Sequence, residues 1–325
     1  MSAKIRFGMI GCGAVTEVKS APAYQHTAGI ELLGVTRRDL AKAHDYAQRH
    51  GISQVFASAQ ALIDSPDIDA VYIATPPDNH KALALMVAKA GKPCCIEKPL
   101  APSYSDSVAI VEAFKHTNTP LFVAYYRRSL PRFNKVKALL EQGAIGSVRH
   151  VNWHLSKAPS AQDLSGEYNW RTDKRIARGG YFDDLASHGL DLIAYLLGDF
   201  KQVTGLTHNQ QNLYQAYDAI TANWLHNNGI SGTASWNFGC YSREDKLTIY
   251  GSKGVLQFSV FDEVDIQLTS AEGVQHFAIA NPVHIQQQHV ENLATSLHTH
   301  HEHPSTGDSA LHTSWVMEQI LAGVD

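Results

Sequence analysis

From residue 4 to about residue 125, short apolar runs alternate with amphipathic stretches, and this alternation narrows the possible folds more than any other feature of the chain. IRFGMIG (5–11), IELLGV (30–35), AVYIAT (70–75), PCCIEKP (93–99) and PLFVAY (120–125) read as strands buried on both faces. Between them, LAKAHDYAQRHG (40–51), HKALALMVAKAG (80–91) and YSDSVAIVEAFKHT (104–117) read as helices, the first stopping at Gly51. Apolar strands alternating with helices predict a parallel sheet covered on both sides.

Beyond residue 125 the rhythm changes. RFNKVKALLEQGAIG (132–146) and 179–197 read as helices, and SVRHVNWHLS (147–156) as a strand. Strand then follows strand: QVTGLTHN, AITANWLHNN, SGTASWNF, DKLTIYGS, GVLQFSV and DIQLTS. Their alternation and turn residues predict one broad, open antiparallel sheet, with Trp153, Trp224 and Trp236 in its core. GDSALHTSWVMEQILAG (307–323) reads as a closing helix. The 325 residues exceed what one core holds comfortably, so two domains are expected.

Charge and composition exclude whole classes of partner. A net charge of −4 gives no electrostatic attraction for nucleic acid or an anionic membrane. No apolar run approaches the ~20 residues that span a bilayer, and MSAKIR leads into the first strand without a signal-peptide core, so a cytoplasmic protein is expected. Cys12, Cys94, Cys95 and Cys240 then read as reduced thiols without metal-type spacing. His298, His300, His301 and His303 invite a zinc reading, but only Glu302 stands near to complete a ligand set. They read as a solvated loop before Pro304, and no metal is expected.

Two motifs carry chemistry. After the first strand, GMIGCGAVTE sets Gly11, Gly13 and Thr16 in a dinucleotide fingerprint whose third glycine is replaced, with Ala14 and Val15 at the start of the helix. The second strand ends in GVTRRD, where an acidic residue would hold the ribose diol of NAD. Thr36, Arg37 and Arg38 stand there instead, and two guanidinium groups suit a 2′-phosphate, so NADP is expected first and NAD second. Glu97 and Lys98 fall at the carboxyl end of a buried strand, the edge where ligands bind in an open parallel sheet. In GGYFDDLASHGLD (179–191), Asp184 and His188 stand one helical turn apart on a single face, while Asp183 and Asp191 read as packing or capping groups with a potential substrate contact.

GCGAV, ATPPDNH (74–80), EKPLA (97–101), WR (170–171) and GGYFDDLASHGLD together resemble the Gfo/Idh/MocA family of oxidoreductases, over essentially the whole chain. The resemblance implies a Rossmann domain with a parallel sheet over 1–124. It implies a second, α+β domain over 125–325, with a large open sheet that binds substrate and forms a homodimer; helix 307–323 is expected to pack back on the first domain. By the same resemblance Lys98, Asp184 and His188 form the catalytic group. Thr75, Pro76, Asn79, His80, Glu97, Lys98, Trp170 and Arg171 join the glycine turn as cofactor contacts. Where the family has three glycines and then small or apolar residues, this chain has Gly179, Gly180, Tyr181, Phe182 and Asp183, which implies a more aromatic and polar pocket wall; Ala186 in place of a usual glycine is harmless in a helix.

The implied reaction is hydride exchange between a nicotinamide and a secondary alcohol or carbonyl of a sugar-like or cyclic polyol substrate. His188 would exchange the hydroxyl proton, Lys98 would hold the developing alkoxide, and Asp184 would orient hydroxyl or imidazole. Loop 157–178 is where substrate choice is expected to be made. A nucleotide- or sugar-sensing regulatory protein of the same fold is the alternative, and an intact Lys98, Asp184 and His188 set favours the enzyme.

Overall fold

The computed structural model describes residues 3–323. They divide into two units: residues up to Leu130 together with Pro282–Leu311, and Pro131–Asn281 together with the residues from His312 on.

The first unit begins with β1 (Ile5–Ile10), a π-helical turn (Thr16–Ser20), α1 (Ala21–His26), β2 (Ile30–Thr36), α2 (Leu40–His50), β3 (Gln54–Val55) and α3 (Ala59–Asp64). It continues with β4 (Ala70–Ile73), α4 (His80–Lys89), β5 (Cys94–Ile96), α5 (Tyr104–His116) and β6 (Leu121–Val123). The strands pair in parallel in the order β3-β2-β1-β4-β5-β6. Every residue of β4, β5 and β6 is buried, which is why these runs lack a polar face. The order reverses direction between β1 and β4, and the carboxyl ends of those strands therefore border the crevice where such sheets bind nucleotides.

The second unit holds α6 (Pro131–Glu141), β7 (Val148–Ser156), α7 (Ala161–Ser165), α8 (Tyr181–Leu197), β8 (Phe200–His208), β9 (Ala219–His226) and β10 (Ser231–Asn237). β11 (Glu244–Gly251), β12 (Gly254–Phe258), β13 (Ile266–Ser270) and β14 (Gly273–Phe277) complete one eight-stranded sheet, ordered β14-β13-β12-β11-β7-β10-β9-β8. It is mainly antiparallel. The exception is an inner pair, β7 with β10, which runs parallel. Trp153 and Trp236 are fully buried and meet edge to face at 5.5 Å, and Trp224 is buried beside Phe200. Helix α8 lies on this aromatic layer through Gly189, where an added Cβ would sit 2.3 Å from the Trp153 ring. A methyl at that position would force the helix off the sheet, at about 1–3 kcal/mol for overpacking.

The chain then returns to the first unit with α9 (Gln287–Thr299), an element the sequence reading leaves unassigned. Val290, Leu293 and Ala294 lie in one cluster with Phe7, Tyr24 and Phe122. The histidine segment is correspondingly not a solvated loop throughout: His298 sits in the last turn of α9, and His303 is only 3% exposed. The His303 imidazole stands against Ser305 O (3.0 Å) and His289 O (3.2 Å), and burial pushes its pKa down to about 4. Arg128 is buried and donates to Pro304 O at 3.1 Å. The last helix, α10 (Gly307–Ala322), begins among the residues of the first unit and ends among those of the second. No described helix is long and apolar enough to cross a membrane.

Candidate active site

In the first unit the site begins where β1 ends. Gly11 takes φ +96° and donates its N–H to Thr36 O at 2.9 Å. A Cβ there would press within 2.8 Å of Thr75 Cγ2, so the turn needs glycine on both counts. Around Gly13 the opposite holds: an added Cβ would meet nothing within 4 Å. Thr16, at the third-glycine position, is buried and donates its hydroxyl to Gly13 O at 2.8 Å, which closes the turn into the helix. Ala14 and Val15 are exposed at the helix start. Open space over Gly13, at the turn that leads into the helix, leaves room for a pyrophosphate.

At the end of β2, Thr36 is buried and spends its hydroxyl on Phe56 O at 2.8 Å, so its side chain braces the turn and is not offered to a ligand. Arg37 is half-buried and Arg38 exposed. Burial pushes the Cys12 thiol pKa up and the Arg37 cation opposes it, which sets the Arg37 charge beside the glycine turn. Asp39, the nearest acid, caps α2 by accepting the Lys42 N–H at 3.1 Å.

The loops after β4 and β5 are tied together by His80. Its Nε2 lies 2.9 Å from Thr75 O, and its Nδ1 lies 3.1 Å and 3.2 Å from Pro99 O and Leu100 O. The ring is fully buried, and burial lowers its pKa. His80 therefore supports the loops that carry Thr75, Pro76 and Lys98, with both ring nitrogens set against backbone carbonyls. Glu97 is likewise engaged within the protein. It is 8% exposed and turns inward, where Oε1 accepts from the Tyr72 hydroxyl at 2.6 Å and from Gln286 Nε2 at 2.9 Å. Pro76 is exposed, and Thr75, Asn79 and Lys98 are half-buried.

In the second unit, Asp184 and His188 lie one turn apart near the start of α8. Arg171 Nε donates to Asp184 Oδ2 at 2.8 Å, so the arginine expected at the cofactor holds the candidate carboxylate. Its guanidinium stands 4.5 Å from the ring of Trp170, and Asn169 accepts the Arg171 backbone N–H at 3.1 Å. His188 is 5% exposed, edge to face with Phe261 at 6.0 Å. Asp183 accepts the Gly179 N–H at 2.9 Å, and burial drives its pKa up to about 7. Asp191 is fully buried and accepts the Thr313 hydroxyl at 3.1 Å, a packing role.

Sequence reasoning passed over one group here. Lys157, just past β7, lays its ammonium 3.6 Å from the centre of the Tyr181 ring. The Tyr181 hydroxyl donates to Asp163 Oδ1 at 2.8 Å, and Ser160 closes a capping box on Asp163. The signal was available only as the region 157–178, because nothing local in a loop says which residue folds back on a helix. Among the described residues no three His, Cys, Asp or Glu side chains gather as a metal's ligand set.

A Rossmann sheet with an open glycine turn, followed by an open eight-stranded sheet whose helix presents Asp184 and His188, defines a two-domain nicotinamide-dependent dehydrogenase. Residues 5–125 match the oxidoreductase family with an NAD-binding Rossmann fold, and residues 133–257 match the GFO/IDH/MocA C-terminal domain. The chain belongs to the Gfo/Idh/MocA oxidoreductase family. It is 33% identical to Oxidoreductase P35 of Formosa agariphila over 98% of both chains. It is 28% identical to the inositol 2-dehydrogenase of Rhizobium meliloti, over 83% of this chain and 80% of that one. Its fold matches levoglucosan dehydrogenase in complex with NADH at a TM-score of 0.89, with 22% identity over 98% of this chain and 96% of that one.

Proposed function

We propose that this protein exchanges hydride between NADP and a secondary alcohol or carbonyl of a sugar-like or cyclic polyol, with Lys98, Asp184 and His188 as the catalytic group. The observation that carries the reading is α8 itself: an Arg171-held carboxylate and an imidazole one turn apart, on a helix seated against a rigid aromatic layer.

Gly11, Gly13 and the helix start would hold the pyrophosphate, Thr75 and Pro76 would border it, and Arg37 and Arg38 would take the 2′-phosphate. Bound there, a nicotinamide supplies the hydride acceptor in oxidation and the hydride donor in reduction. Proton and field are left to the chain. His188 takes the hydroxyl proton in oxidation and returns it in reduction, the acid–base role an imidazole side chain can serve. Lys98 stabilises negative charge on the same oxygen. Asp184, fixed by Arg171, orients the hydroxyl or the imidazole.

The inositol 2-dehydrogenase and levoglucosan dehydrogenase relatives support the substrate class by their names, and the NADP preference rests on Arg37 and Arg38. The test is a screen of sugars and polyols for change in reduced-nicotinamide absorbance, with calorimetry of both cofactors. Turnover is expected on a polyol, with NADP bound tighter than NAD by about 1–3 kcal/mol, the range for charged hydrogen bonds. Equal affinities, or a preference for NAD, would refute the 2′-phosphate assignment.

A further inference from the structure

Lys157 has a use that packing alone does not give it. It follows the last residue of β7, and its backbone N–H donates to Asn237 O at 3.0 Å, which fixes where its side chain starts. The ammonium lies over Tyr181, the first residue of α8, one turn before Asp184. Tyr181 is in turn immobilised: its hydroxyl donates to Asp163 and accepts from Asn169 Nδ2 at 3.0 Å. Among the described residues no oxygen accepts a hydrogen bond from the Lys157 ammonium and no carboxylate forms an ion pair with it. A half-buried ammonium with three unspent donors, held in place by a ring, is an arrangement for binding an oxygen that the protein does not supply.

The charges around it say which oxygen. Asp163 is fully engaged, by Ser160 and Tyr181, and Asp184 is paired with Arg171. Lys157, Arg171 and Arg243 against Asp163, Asp184 and the Asp262 that pairs with Arg243 leave the group balanced, which favours an uncharged partner over a carboxylate. Burial lowers the Lys157 pKa while Asp163 and then Asp184 raise it, so the lysine sits in the field of the carboxylate on α8.

We infer that Lys157 contacts the substrate and determines specificity, donating to a second hydroxyl besides the one that reacts, so that the enzyme selects uncharged, polyhydroxylated rings over isolated alcohols. The inference rests on the reading of Asp184 and His188 as the reacting end. Lys157 adds to that reading the feature of the substrate that is recognised there.

The test uses the full-length protein and its Lys157→Met, Lys157→Gln and Lys157→Arg variants, assayed on myo-inositol, levoglucosan and D-gluconate with either cofactor. Melting temperature and calorimetric cofactor binding are measured alongside. Methionine keeps the stem on the Tyr181 ring and removes the donors, so KM for the neutral polyol should rise about tenfold to a hundredfold, as for loss of a charged hydrogen bond. Cofactor affinity and melting should stay at the parent's values, and arginine should recover most of the loss. Glutamine, which removes the charge and shortens the reach while keeping an amide donor, serves as the charge-only comparison should the methionine variant melt early. Unchanged KM on a polyol that the parent turns over would overturn the inference and leave the catalytic reading standing. An effect confined to D-gluconate would overturn the uncharged class, and loss of cofactor binding in step with KM would reduce Lys157 to a structural role. A parent inert on all three probes would bring down the polyol reading itself, and this inference with it.

Discussion

Asp183 and Asp184 are neighbours in sequence and opposites in chemistry. Asp184 is held by Arg171, whereas Asp183 is driven by burial to a pKa of about 7, with Asp184 and Glu318 adding to the rise and Arg178 opposing it. Between the ordinary carboxyl value of 3.8 and about 7, folded Asp183 keeps a proton that the unfolded chain has released. Its contribution to stability therefore falls as pH rises through that window. Asp183→Asn retains an acceptor for the Gly179 N–H and cannot ionise. Thermal melting of the variant should exceed that of the parent above about pH 7, and the two should converge towards pH 3.8. An asparagine variant that melts lower at alkaline pH would mean the carboxylate is favourably solvated or paired. From sequence, Asp184 and His188 were legible because four-residue spacing is local helix geometry. Arg171 as the partner of Asp184 was not, because a contact across thirteen residues depends on the path of the intervening loop.

At the scale of elements, the strand–helix alternation and the outer strands were legible because both periods are local. Helix α9 and one strand pairing were among the features that were not. Helix α9 has Val290, Leu293, Ala294 and Leu297 on one face, but the surrounding glutamines and histidines make its pattern faint until the rest of the core is there to receive it. The parallel pairing of β7 with β10 joins Trp153 to Ala234, a register that no short window contains. The glycine turn was legible as a motif, while the different tasks of its two glycines required the structure. Gly13→Val enters open space, so it should leave melting unchanged and weaken dinucleotide binding on the order of tenfold through lost backbone contacts to phosphate. Gly11→Ala, by contrast, should destabilise the fold itself by about 1 kcal/mol or more. Calorimetry and thermal melting separate the two, and a Gly13 variant with full cofactor affinity would remove the pyrophosphate from that turn.

For the whole molecule, the outer face of the eight-stranded sheet bears on assembly. Its central rows are self-satisfied: His154 with Ser235 (2.7 Å), Asn152 with Thr233 (2.8 Å) and His150 with Ser231 (2.9 Å). Leu206, Leu225 and Tyr250 stand exposed around them at 64%, 40% and 42%, a broad face with apolar margins. We expect a homodimer through this face, with each subunit presenting the same patch. Light scattering at micromolar concentration should report a dimer, and Leu206→Arg with Leu225→Glu should convert it to monomer; a monomeric parent would contradict this. The central claim is that one proton leaves through His188 while the cofactor is held elsewhere. Steady-state kinetics of His188→Asn, with cofactor affinity measured separately, tests it most directly. The account predicts kcat lower by ~10²–10⁴-fold with cofactor binding intact, and a double variant with Lys98→Met far less impaired than the product of the singles, because both act in one step. Near-parental turnover in His188→Asn would contradict it.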